Sequence, residues 1–125
     1  QLGRPGEAVR VAALATDTSG NRGTMPVSVV IPIVADAPPV VAITTPASGA
    51  TFRTGDRVTV TLRATDELGA TQLAYRAQTG RAQDAGTTGV SPASADVTRT
   101  FAFSLGSDVV PGSTITINAS ATDTK

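Results

Sequence analysis

The chain has 125 residues, ten Lys and Arg against ten Asp and Glu, four aromatics, and no His, Cys or Trp. Without His or Cys it lacks the usual general base, the thiol nucleophile and the ligands of structural zinc and iron–sulfur sites, and a net charge of zero, with nine Arg and one Lys scattered singly, argues against nucleic acid, where a basic face is expected. An apolar content of 40 % excludes wholesale disorder, and no apolar run reaches the roughly 20 residues of a membrane-spanning helix.

The pattern along the chain is that of β-strands. The first segment, Gly6-Glu-Ala-Val-Arg-Val-Ala-Ala-Leu-Ala-Thr-Asp17, returns as Gly55-Asp-Arg-Val-Thr-Val-Thr-Leu-Arg-Ala-Thr-Asp66 and Gly112-Ser-Thr-Ile-Thr-Ile-Asn-Ala-Ser-Ala-Thr-Asp123. Each copy has Val or Ile at the third and fifth positions after Gly and closes on Ala-Thr-Asp. The first and third copies match from Pro5/Pro111 to Thr18/Thr124 at an offset of 106 residues, so they read as the same strand in consecutive domains. The middle copy is a looser relative and a different strand. Further strands are expected at Val27–Val34, Val40–Thr44, Leu73–Ala77 and Val97–Leu105, with Leu73, Tyr75, Ala77, Phe101, Phe103 and Leu105 inward. Turn signals separate them, among them Ser19-Gly20-Asn21, Pro46-Ala-Ser-Gly49, Thr79-Gly80 and Pro111-Gly112. No stretch carries a helical period, and 20 Thr with many Val suit strands. Short antiparallel strands at this spacing imply a sandwich or barrel.

Asp36-Ala-Pro-Pro39 reads as a stiff linker, because two prolines fix φ and remove two N–H donors. Residues 1–35 are then expected to be the last two strands of one module. Residues 36–39 form the linker, and residues 40–125 a second module lacking its last strand.

The segment from Pro38 to Asp66 resembles the tandem bacterial immunoglobulin-like (Big-type) repeats of large surface and secreted proteins. Phe101–Leu105 and Val110–Asp123 look like the closing half of such a repeat, and Ala15-Thr-Asp-Thr-Ser-Gly-Asn21 matches that family's A-x-D-x-x-G-N turn. The resemblance implies an all-β, immunoglobulin-like antiparallel β-sandwich in tandem modules. Its strands would be A (Val40–Thr44), B (Arg57–Thr65), C (Leu73–Ala77), E (Val97–Leu105) and F (Thr114–Thr122). The preceding module would contribute F (Ala8–Thr16) and G (Val27–Val34). Gln78–Ala95 is expected to hold a mobile or variable C-to-E crossover.

Acidic residues are the only candidate chemistry. Strands B and F run the same way in such a sandwich, so Asp66, Glu67 and Asp123 leave at one pole, where Asp36 precedes strand A. Four carboxylates there would suit Ca²⁺, which accepts 6–8 oxygen ligands. Against this, an Asp that recurs with the same Ala-Thr neighbours is accounted for by a local turn role. A glycosidase-like carboxylate pair lacks an aromatic platform, and a Ser–Lys nucleophile scheme has only the terminal Lys125. No catalytic residue and no organic cofactor is therefore expected. Tyr75, at an inward position, belongs to the core, and the Asn118-Ala-Ser120 sequon lies inside a strand.

The expected function is that of a structural repeat in an extracellular or cell-surface stalk or fibre of a bacterium. Its partners would be neighbouring modules of the same chain or other copies. Val27–Val34 would complete either its own module or, by strand complementation, a neighbouring copy. The alternative is an adhesin or carbohydrate-binding module using the loops at one pole.

Overall fold

The computed structural model describes residues 3–24 and 27–124. Among them the regular elements are all strands. The chain divides into two units, Gln1–Asp36 and Ala37–Lys125, with the division inside the proline-containing stretch.

The first unit is a hairpin of β1 (Ala8–Ala13) and β2 (Val27–Pro32). They pair antiparallel, with Val9 opposite Ile31, Val11 opposite Val29 and Ala13 opposite Val27. Since side chains alternate along a strand, these six residues share one face. That face is largely uncovered: Val27 is 73 % exposed and Val29 57 %. The strand expected to reach Thr16 stops at Ala13, and pairing resumes only at the bridge between Thr16 and Arg22. Beyond Pro32, which has no N–H, the ladder continues where Ile33 donates to Glu7 O and Gly6 donates to Ile33 O, each at 2.8 Å.

The second unit contains β3 (Val40–Thr45), β4 (Arg57–Thr79), β5 (Ala82–Ser104) and β6 (Thr116–Thr122). All pairings are antiparallel and all involve β4. Ala64 pairs with both Val41 and Val97, and Leu73 with both Thr88 and Ala121. So β5 lines one edge of β4 throughout, while β3 and β6 share the other edge, β3 on the first half and β6 on the second.

Two expectations are corrected here. Strands B and C are one continuous 23-residue strand, and Gln78–Ala95, read as a crossover, is mostly strand β5. The physical reason is a pair of compensating bulges. Thr65 faces Asp96 and Gln72 faces Gly89, with only Ala70–Ser94 paired between them. Through this corner the buried positions change from Val58, Val60, Leu62 and Ala64 to Leu73, Tyr75 and Ala77. The strand thus passes from one layer to the other while keeping an apolar side toward the interior. Gly69 makes the corner feasible. Its φ is 94°, and a Cβ there would lie 3.0 Å from the Ala93 carbonyl carbon and the Ser94 nitrogen. At the far end, Thr79 pairs with Ala82 around Gly80 (φ 52°), as a two-residue hairpin turn requires.

The core gathers Val58, Val60, Leu62 and Leu73, all fully buried, with Val97 and Leu105. Ile43, Phe101, Phe103, Ile115, Ile117, Ala119 and Ala121 pack against it half-buried. Tyr75 stands between the layers, its ring centroid 4.9 Å from Phe101 and 6.0 Å from Phe103.

Candidate functional site

The two poles of the second unit are built differently, and each gathers candidate groups. At the bulged corner, β3 begins opposite Thr65 and β6 ends opposite Gln72. The exits of the expected B and F strands therefore do share a pole. The Thr71 hydroxyl donates to the carbonyl oxygens of Thr122 (3.1 Å) and Asp123 (2.7 Å), tying the end of β6 to the corner.

Asp66 is 7 % exposed. Its Oδ2 accepts the Leu68 N–H at 3.1 Å, and its Oδ1 is buried without a hydrogen-bond partner. Glu67 reaches across to the start of the unit and accepts the Ala37 N–H at 3.0 Å. Asp36 belongs to the first unit and Asp123 to the second. Among the described residues, no three acidic side chains gather as a metal-holding group. In the first Ala-Thr-Asp copy, Asp17 Oδ1 accepts the N–H groups of Ser19 (2.8 Å) and Asn21 (2.9 Å), and Oδ2 accepts the Asn21 side-chain amide (2.9 Å). Those bonds, the side-chain one foremost, hold its carboxyl below the usual range. Two of the three recurrent Asp side chains thus serve their own turns.

Two further pairs escaped the sequence reading. Arg63 grips Asp96 with both arms of its guanidinium, Nε donating to Oδ1 at 2.9 Å. Hydrogen bonding before simple attraction lowers the Asp96 carboxyl and raises Arg63. Both side chains are about half exposed, so the pair is screened by solvent. The Tyr75 hydroxyl donates to Asp84 Oδ2. Burial, then that bond, pushes the phenol up to about 12. Neither pair was legible, because Asp84 lies in the stretch read as crossover and the Arg63–Asp96 match depends on the register at the bulge.

The opposite pole holds a cavity of about 940 Å³. The β3–β4 loop, including Phe52 and Arg53, and the β5–β6 loop around Pro111 form its rim, while Ile43, Val58, Ile115 and Ile117 line its depth. The turn signals at Pro46–Gly49 and Pro111-Gly112 mark both loops, but their convergence around an opening is a tertiary fact. Lys125, the single lysine, lies outside the described residues.

Among known proteins, no curated sequence and no solved structure matches the chain. A family model described as Bacterial Ig domain matches residues 39–103, which takes in β3, β4 and nearly all of β5. With the matched stretch over half its length and an antiparallel layered arrangement around one core, the chain belongs to the bacterial Ig domain family.

Proposed function

We propose that the chain is a structural spacer in a bacterial surface or secreted protein, its first unit the closing hairpin of one module and its second the body of the next. Domains of this family are common in surface and extracellular proteins. The observation that carries the reading is the β4–β5 hairpin, in which two 23-residue strands run through both layers and bind the unit into one piece. Its outward positions are mostly Thr, Ser, Gln and Arg, a surface without reactive groups. The reading assigns no catalysis and a mechanical role: paired strands and a packed core keep flanking segments apart. Pulling on residues 1–125 between handles tests this. The second unit should open in one cooperative step, and smooth extension without a resolved event overturns the reading.

The cavity supports a second reading, a ligand-binding module that uses the loop pole, with Phe52 and Arg53 as contacts. Glycan-array binding that falls with Phe52→Ala is the expected result, and absence of binding removes it. Calcium at the bulged pole, with Asp66 and Glu67 of the four expected carboxylates as its ligands within the second unit, is a separate proposal supported by the unpartnered Asp66 Oδ1. Calorimetric titration with millimolar Ca²⁺ should then give heat and a higher Tm, and no heat with an unchanged Tm removes the idea.

A further inference from the structure

β5 pairs with β4 along one side, and no strand lies along its other side among the described residues. Such an edge invites pairing with another strand. The first half of β5 is interrupted by Gly86, Gly89 and Pro92, all poor residues for a ladder. The second half, Val97-Thr-Arg-Thr-Phe-Ala-Phe103, is a run of strand formers without Pro or Gly, and Arg99 is its single charge.

The ladder fixes which backbone groups face that edge. Leu105 donates to Asp56 O and accepts the Gly55 N–H, each at 2.9 Å, so both of its backbone groups turn to the β4 side. Bonded positions alternate along an antiparallel pair. Phe103, Phe101, Arg99 and Val97 therefore bond to β4, while Ala102, Thr100, Thr98 and Asp96 turn their N–H and C=O groups to the open edge. The far side of β4 agrees, because Thr61, opposite Thr100, turns its carbonyl to the Thr44 hydroxyl of β3.

Two of these edge carbonyls are already occupied. The Arg99 guanidinium donates through Nη1 to Thr98 O at 3.0 Å, and the Ser94 hydroxyl donates to Asp96 O at 2.9 Å. Arg99 holds a position where a charge is costly. It lies opposite the fully buried Leu62 and alternates with Val97, Phe101 and Phe103, which turn to the core. An edge strand lets such a side chain reach water, and its way out passes over the strand's own edge.

We propose that Arg99, assisted by Ser94 and Pro92, closes the outer edge of β5 against a second copy of this chain. The inference is independent of the spacer reading, since it concerns one edge of the second unit whatever that unit does. An incoming strand must strip the guanidinium from Thr98 O and bury it beside the core, which costs its hydration. Two copies pairing edge to edge over this stretch also bring both Arg99 side chains into one seam, like charge beside like charge. Without Arg99 the stretch from Val97 to Phe103 is an uncharged strand with free edge groups at Thr98, Thr100 and Ala102.

Residue-resolved hydrogen exchange, with sedimentation of the same samples, tests this in the full chain. In the parent, the amides of Thr98, Thr100 and Ala102 should exchange fast and those of Arg99 and Phe101 slowly. Arg99→Val should tighten self-association by about tenfold or more and slow exchange at Thr98, Thr100 and Ala102. Arg99→Thr, also an uncharged strand former, should do the same and serves where valine disturbs folding. Arg99→Lys keeps a charge at the inward position and should behave as the parent. Slow exchange at the three edge amides of the parent overturns the proposal. So does a folded Arg99→Val or Arg99→Thr protein in which those amides stay fast and association is unchanged.

Discussion

Tyr75 is the only tyrosine in the chain, so its ionisation can be followed alone. The unfolded phenol loses its proton near pH 10, the folded one only near 12, because burial between Phe101 and Phe103 disfavours the anion and Asp84 holds the hydroxyl proton. The native state therefore keeps this proton longer than the unfolded state. The stability it contributes is complete below pH 10 and is lost as pH rises from 10 to 12. Ultraviolet titration of the phenolate should show a midpoint near 12 that falls toward 10 in denaturant. Glycines give the other residue-scale prediction. At Gly86, directly across from Tyr75, a Cβ would sit 2.5 Å from the tyrosine ring. Gly69 is confined by backbone and a φ of 94°. Gly69→Ala should lower unfolding free energy by about 1–3 kcal/mol in urea titration, with Gly86→Ala of similar size as the ring is displaced. That Tyr75 points inward was legible from alternation. Its partner Asp84 was not, since a hydrogen bond between β4 and β5 requires knowing that they pair there.

Among the elements, β4 decides most. Its alternation of apolar with polar residues is plain in the sequence from Val58 to Ala64 and again from Leu73 to Ala77, and both stretches are buried as that pattern implies. What lies between, Asp66-Glu-Leu-Gly-Ala70, breaks the period, and a break in period looks the same whether the chain leaves the sheet or bulges within it. The structure takes the second course, because β5 carries a matching irregularity between Gly89 and Ser94. The burial contrast along β4 can be measured. Leu62→Ala, at a fully buried site, should cost about 2–5 kcal/mol. Leu68→Ala, at a corner position 45 % exposed, should stay within about 0.5 kcal/mol of the parent. The Arg63–Asp96 pair flanks the same corner on the solvent side. Its removal should matter little and less still at high salt, because both groups remain in water.

At the scale of the whole molecule, the chain passes from the first unit to the second between Asp36 and Ala37, and within the second unit Glu67 accepts the Ala37 N–H. Two consecutive prolines hold this segment extended and deny a protease the flexible backbone it needs to bind. Limited proteolysis of the Pro38→Gly/Pro39→Gly variant should cut between the units faster than in the parent, releasing fragments that correspond to residues 1–36 and 37–125. An unchanged cleavage pattern would mean that the prolines do not set the stiffness of the junction.

By itself the sequence determined the class of fold and the inward residues of most strands, and it carries the likeness between the segments of β1 and β6. All of these are local or periodic properties, written into alternation, turn chemistry and self-similarity. Only the tertiary structure decided that one strand turns the corner from layer to layer, that Asp66 is buried at the bulge, and that the loops after β3 and β5 converge around a cavity at the start of β6. Those depend on which distant segments pair and in what register. A bulge is visible only as a mismatch between two strands, and a cavity only as the space that packed elements leave unfilled.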